Sequence, residues 1–387
     1  MSSSANKKLI LNTITMSTEL KYMPIFRARQ EENKVLKSFD FGNRIYPCIE
    51  IYKELLRKPS TPKKNTKTPP KRRKVKTFED DYLPLINEVN AKQVFVDFPI
   101  HLIPRVQMDA DVVRFIRGVI LKRENRTAYM KKFAMLSHKV IPVISTYAEV
   151  TGERQSILIQ ETDLRPFFGA IAFRTFPKTF SRDIAQIKAI SKPEDYVIMD
   201  LEEMELDLDD GDLLDIADEL ESLNCNVIIH RNAVSKGITN KGLAHNDVVR
   251  DIDNSLINKF HLLKGSCFSD YAGIKKDDVT KGGGISPGFI FYDAVGNRFY
   301  GFRYREGHRK LDEFETTIVP AIVGSEASGR MDEAELDYLG FDNIGWGIIK
   351  KIELEGEPGK SPAKFKRIGM EHYIHCINCR VVNGDFD

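Results

Sequence analysis

The sequence predicts an α/β protein: a closed (β/α)8 barrel of the TIM type with a C-terminal β-rich appendix. Three observations point there. Short apolar runs of strand length alternate with longer stretches of helical period. The short runs are continuously apolar, as strands covered on both faces by helices must be. Eight such units follow one another, enough to close a parallel sheet on itself, with an open doubly wound sheet as the alternative. The chain has 387 residues, 42% hydrophobic and 29% charged, and one barrel can occupy about 250 residues as a single domain.

The strands are expected at Tyr22–Phe26, Ile45–Ile49, Val94–Val96, Ile141–Ile144, Gly169–Phe173, Tyr196–Met199, Val227–Ile229 and His261–Gly265. Pro24 and Pro142 fall inside two of them, where a missing N–H is unwelcome. Helices are expected at 30–39, 79–90, 110–136, 181–190, 211–223 and 246–259. In the fifth of these, Leu213, Leu214, Ile216, Ala217 and Leu220 make the one-sided stripe of a surface helix. The domain reading is a flexible lead-in over 1–20, a barrel over 21–274 and a β-rich extension over 275–387. The extension opens with a loop carrying Gly282-Gly283-Gly284. A hairpin over 289–304 follows, turning at Gly296-Asn297, residue types that tolerate the positive φ of tight turns. The tail over 340–380 reads as further β structure.

Net charge is +2, too small to imply a polyanionic partner for the whole chain. Locally the balance differs. Residues 57–77 combine prolines with lysines and arginines and offer no apolar anchor, which predicts a disordered basic insertion within the barrel. Its end, Lys71, Arg72, Arg73, Lys74 and Lys76, is the candidate nucleic-acid contact, set against a plain solvated linker. The five cysteines are scattered and show no disulfide framework. A cytoplasmic protein without a membrane span is expected, because the N-terminus makes a poor signal peptide and no run of about 18 apolar residues occurs. Cys376-Ile377-Asn378-Cys379 with His372 and His375 lacks the second separated pair of a structural zinc site, and buried cysteines on a strand are expected instead.

Barrel chemistry sits where strands end and βα loops converge. The residues ending the predicted strands are Arg27 and Arg29, Glu50, Asp97, Ser145 and Thr146, Arg174, Asp200, and His230 and Arg231. After the eighth strand come Ser269, Asp270 and Tyr271. Glu50, Asp97, Asp200, His230 and Asp270 are the candidate catalytic groups. Carboxylates held together shift one another's proton affinity or bind a divalent metal, the cofactor class expected here if there is one, and histidine titrates near neutrality. Arg27, Arg29, Arg174 and Arg231 are candidate ligand-binding groups, since guanidinium pairs bidentately with phosphate or carboxylate.

Several segments then resemble a known family, the phage Beta proteins. Tyr22-Met23-Pro24-Ile25 followed by Arg27, and Ile45-Tyr46-Pro47-Cys48-Ile49-Glu50, are similar to that family's opening strands. Phe268-Ser269-Asp270-Tyr271-Ala272-Gly273 resembles its Phe-Gly-Asp-Tyr segment, with serine in place of glycine. Arg303-Tyr304 and Gly369-Met370-Glu371-His372-Tyr373-Ile374-His375 resemble its later landmarks. The resemblance spans most of residues 20–380 and adds Tyr271, Arg303, Tyr304 and His372 to the candidate ligand-binding set; the two hairpin residues join it if the hairpin covers the barrel mouth. It implies a phage- or island-encoded protein of the bacterial cytoplasm, acting in anti-phage defence or in host killing and immunity, with a partner protein from the same cassette. Together with the rim, the expectation is a polar barrel-mouth pocket for a phosphorylated or nucleotide-like ligand, and, if catalytic, a hydrolase or phosphodiesterase-like activity. The alternative is a non-catalytic or antitoxin-like module that recognises a protein or nucleic acid.

Overall fold

A computed structural model describes residues 19–56, 76–276, 279 and 286–387. Eight parallel strands close the barrel: β1 (Tyr22–Arg27), β2 (Cys48–Glu50), β3 (Val94–Asp97), β4 (Val140–Ser145), β5 (Ala172–Thr175), β6 (Tyr196–Asp200), β7 (Asn226–His230) and β8 (Cys267–Asp270). Each strand pairs with its neighbours in sequence, and β8 pairs with β1 to complete the ring. Both prolines are accommodated within strands, Pro24 opposite Asp270 and Pro142 opposite Val96.

Side chains alternate across each strand, and both faces are apolar. Met23, Ile25, Phe95, Ile141, Val143 and Ile198 fill the barrel interior. Their neighbours Phe26, Val94, Val96, Ile144 and Val197 face outward into the main core shared with the helices. The continuous apolar runs of the sequence are therefore two interleaved sets serving two cores.

The principal barrel helices are α1 (Gln30–Ser38), α2 (Phe78–Glu88), α3 (Ala110–Leu121), α4 (Arg123–Lys131), α5 (Ser156–Leu164), α6 (Pro177–Ile190) and α7 (Gly211–Glu221). Local chemistry sets their starts. Thr77 and Asp80 form a reciprocal capping box on α2, the side chains of Asp109 and Asp210 cap α3 and α7, and Pro177 opens α6. The expected single helix over 110–136 is thus two helices and a terminal 3-10 turn.

Three sequence expectations are corrected. The eighth strand is Cys267–Asp270, while Phe260–Leu263 is a 3-10 turn. Lys264 takes a left-handed φ of 59°, and a Cβ at Gly265 would lie 2.6 Å from the Ile229 side chain, so the chain folds sharply there before the strand starts. The expected helix over 246–259 is mostly loop: Asp247–Val248 is a short strand, and only Leu256–Lys259 is helical. The tail over 340–380 is helical, forming α8 (Ile344–Glu353) and α9 (Pro362–Asn383). Every residue from Met370 to Ile377 is buried, and a helix covered all round carries no amphipathic period to read. Cys376 and Cys379 accordingly lie on a helix.

The hairpin is present as β9 (Gly288–Asp293) and β10 (Arg298–Arg303), with Asp247–Val248 added to its edge. Asn297 adopts the positive φ, 47°, expected of the turn. The hairpin packs on α9: Phe289 meets Phe365 edge to face, and Phe291 stacks on His372 with centroids 4.3 Å apart. No helix among the described residues is long and apolar enough to cross a membrane.

Candidate functional site

The alternation that fills the interior continues to its upper end. The last inward positions are Arg27, Glu50, Asp97, Ser145, Arg174, Asp200 and His230, with Tyr271 just past β8. Registers confirm the rows: Arg27 lies opposite Glu50, Glu50 opposite Asp97, Ser145 opposite Arg174, and Asp200 opposite His230. Seven strands and one strand-following residue thus deliver a polar group to a single layer above an apolar interior.

Arg174 is the hub. Its Nη1 donates to Glu50 Oε1 at 3.0 Å and Asp97 Oδ2 at 2.8 Å, while Nε and Nη2 donate to Asp200 Oδ2 at 3.0 and 2.7 Å. Arg27 Nε donates to Glu50 Oε2 at 3.0 Å, and the Tyr271 hydroxyl to Glu50 Oε1 at 3.0 Å. From α4, Arg126 reaches in and donates to Asp97 Oδ1 at 2.8 Å, to Gln160 Oε1, and to the carbonyls of Phe98 and Val143. All three guanidinium groups and all three carboxylates are buried. Three negative charges meet three positive ones, as a buried ionic cluster must if it is to offset its desolvation.

Two histidines and a lysine complete the layer. His230 Nδ1 lies 3.0 Å from Ser269 Oγ, and its Nε2 is 3.7 Å from Asp200 Oδ1. His101, from the loop after β3, places Nε2 3.5 Å from Glu50 Oε1 and its ring edge-on to Phe176. The Lys276 ammonium lies over the Tyr271 ring, 5.3 Å from its centroid. Burial pushes both histidines down to about 4, and the positive charges of Lys276 and Arg174 act the same way against the pull of Glu50 and Asp200. Burial likewise lowers the Lys276 ammonium. Glu50 and Asp200 go the other way. Burial alone would raise them, but His101, Arg27 and Arg174 hold Glu50 well below the usual carboxylate range, and His230, Arg174 and Lys276 do so for Asp200. At neutral pH Glu50 and Asp200 are therefore ionised and the two imidazoles neutral.

Four buried nitrogens in this layer have no hydrogen-bond partner among the described residues: Arg27 Nη1 and Nη2, His101 Nε2 and His230 Nε2. Of these residues His230 lines a cavity of about 440 Å³, together with Phe176, Lys178, Glu202, Glu203, Lys236 and Lys276, among others.

Other expected site residues lie elsewhere. Asp270 is the main correction. It follows inward-facing Ser269, so it points outward, where it accepts hydrogen bonds from Tyr22 at 2.7 Å and from Tyr373 of α9 at 2.5 Å. Burial raises its carboxyl despite both hydroxyls. Beside it Gly273 has φ +69° and a Cβ there would lie 2.3 Å from the Tyr373 ring, so this segment is the seat of α9. Arg231 also points outward and donates to the carbonyls of Met204 and Asp253. His372 is a core group of the appendix: Nδ1 accepts from Asn343 and Nε2 donates to the Tyr292 carbonyl, both at 2.8 Å. Arg303 donates to the Lys241 carbonyl, Tyr304 is buried, and neither lines the mouth cavity. Arg29 borders a different cavity beside Tyr52. Lys76 pairs with Asp81 at 3.0 Å, while Lys71, Arg72, Arg73 and Lys74 lie outside the described residues.

Among the described residues no three His, Cys, Asp or Glu side chains converge as metal ligands. The Arg174 guanidinium holds the position between the carboxylates that a cation would take. Reading strand ends missed His101, Lys276 and Arg126, which come from loops and a helix; the one available signal was that His101 follows Asp97 by four residues.

Comparisons with curated proteins and with solved structures returned no match. A family model described as Beta protein matches residues 22–378, nearly the whole chain, and the chain belongs to that family.

Proposed function

We propose that the barrel mouth binds an anionic, phosphorylated ligand. The observation that carries this reading is the set of buried nitrogens without a hydrogen-bond partner at Arg27, His101 and His230, in the layer from which His230 borders the cavity together with Lys276, Lys236 and Lys178. The buried carboxylates are neutralised by Arg27, Arg126 and Arg174, so a ligand meets donors and a cavity lining of three lysines against Glu202 and Glu203. Phosphate oxygens satisfy such donors, and guanidinium offers them paired N–H groups. If the site is catalytic, Glu50, Asp97 and Asp200 are structural counter-ions and the proton-transfer groups are the neutral imidazoles of His230 and His101, which suits a phosphoryl or phosphodiester hydrolysis.

The role in phage exclusion or host killing and immunity, in the bacterial cytoplasm and with a partner protein of the same cassette, is proposed on the family resemblance alone. Within it the barrel reads as a ligand-responsive component, with binding of a partner protein or of nucleic acid as the alternative. The direct test is a thermal-shift screen with inorganic phosphate, pyrophosphate and ribonucleotides. A ligand that binds only the native state raises the melting temperature by mass action. A rise with phosphorylated compounds that Arg27→Gln abolishes is the expected result. No shift with any of them overturns the reading and directs attention to a macromolecular partner.

A further inference from the structure

A second and larger cavity, about 750 Å³, opens at the same end of the barrel. It lies over the first three strands. Arg29 follows β1, Tyr52 follows β2, Asp109 and α3 follow β3, and Val279 comes from the segment after β8. The chain ties it to the mouth, because Arg29 is two residues past Arg27 and Tyr52 is two past Glu50.

Its walls are aromatic. Phe115 of α3 and Tyr129 of α4 meet edge to face with centroids 5.1 Å apart, and buried Tyr52 and Val112 add to the lining. Its rim is polar and of both signs: Glu54, which accepts from the Tyr129 hydroxyl at 3.2 Å, with Arg114 and Asn125. A lipid-like ligand would meet these charges without satisfying them. A flat heteroaromatic ring fits better, because its faces stack on aromatic walls and its edges offer both donors and acceptors.

We infer that this cavity receives the base of a nucleotide whose phosphate is held by Arg27 and Lys276 at the mouth. The inference rests on the anion reading of the mouth and narrows it from phosphorylated compounds in general to nucleotides.

Gly118 gives a clean test. It lies within α3 on the cavity wall, and a Cβ there meets nothing closer than Asn125 Nδ2 at 4.0 Å. Gly118→Phe should fill the cavity while removing a helix-destabilising glycine; Gly118→Leu is a smaller second variant should the phenylalanine disturb folding. Binding of inorganic phosphate, the four ribonucleoside monophosphates and the four ribonucleosides is measured by calorimetry on the full-length chain and its variants. At least one monophosphate is expected to bind about tenfold or more tightly than inorganic phosphate, the scale of a base–aromatic stack. Gly118→Phe should erase that advantage, leave phosphate affinity unchanged and not lower the melting temperature. If no monophosphate outperforms phosphate, or its advantage survives both variants, the inference falls and the anion site stands. If ribonucleosides bind in a Gly118-dependent way while phosphate does not bind, the aromatic subsite stands and the anion reading fails.

Discussion

Asp200 and Asp270 end β6 and β8 of the same barrel, both buried, yet they inhabit different environments. Asp200 faces inward to Arg174 and His230, and its carboxyl is held low. Asp270 faces outward to two tyrosine hydroxyls, and burial raises its carboxyl. One residue belongs to a charge-balanced layer under a cavity, the other to the seam that docks α9. Position at a strand end does not distinguish them; the parity of the side chain along its strand does.

The contrast can be broken most forcefully at its hub. Arg174→Met leaves Glu50, Asp97 and Asp200 without their shared counter-ion and should cost about 3–5 kcal/mol, the scale for stripping one partner from a buried ionic group. Urea unfolding would show it; a loss under about 1 kcal/mol would mean the cluster is not held by Arg174. Asp270→Asn is the outer counterpart. One amide oxygen can still accept from Tyr22 or Tyr373, so a smaller loss of about 1–2 kcal/mol is expected, with ligand-induced thermal shifts unchanged. Altered ligand response in that variant would place Asp270 functionally in the mouth.

Acid should act on both regions. His101, His230 and His372 have their proton affinity lowered from the ordinary 6.5 to about 4 by burial. Between those values the unfolded chain binds more protons than the folded one, so stability falls as pH drops through this window, by up to about 1.4 kcal/mol per pH unit for each histidine. Depressed Glu50 and Asp200 add to the loss at still lower pH, while raised Asp270 opposes it. The urea midpoint should be clearly lower at pH 5 than at pH 7. His230→Gln should flatten the dependence, and a midpoint indifferent to pH would contradict neutral buried histidines.

Much of this was legible in the sequence. Seven of the eight strands fall where continuous apolar runs place them, because two-sided burial leaves that mark, and Arg27, Glu50, Asp97, Arg174, Asp200 and His230 follow as the ends of those runs. The failures share a cause. With the eighth strand expected at His261–Gly265, nothing in the sequence fixes which way Ser269, Asp270 and Tyr271 point, and Asp270 reads as one of the inward carboxylates. Placing β8 at Cys267–Asp270 gives the parity at once: Cys267 and Ser269 in, Asp270 out. Arg231 fails by the same rule, one residue past inward His230. His101, Lys276 and Arg126 carry no periodic signal, since loops and a neighbouring helix deliver them. The helical tail escaped because α9 is buried nearly all round.

The most direct test of the account is titration of pyrophosphate into the wild-type chain, Arg27→Gln and Asp270→Asn, followed by calorimetry at neutral pH. The account predicts saturable binding to the wild type and to Asp270→Asn, and a loss of roughly tenfold or more in Arg27→Gln, the scale of a charge-assisted hydrogen-bond pair. Equal affinity in Arg27→Gln, or a loss in Asp270→Asn alone, would contradict a donor-lined mouth built on the inward face of the barrel.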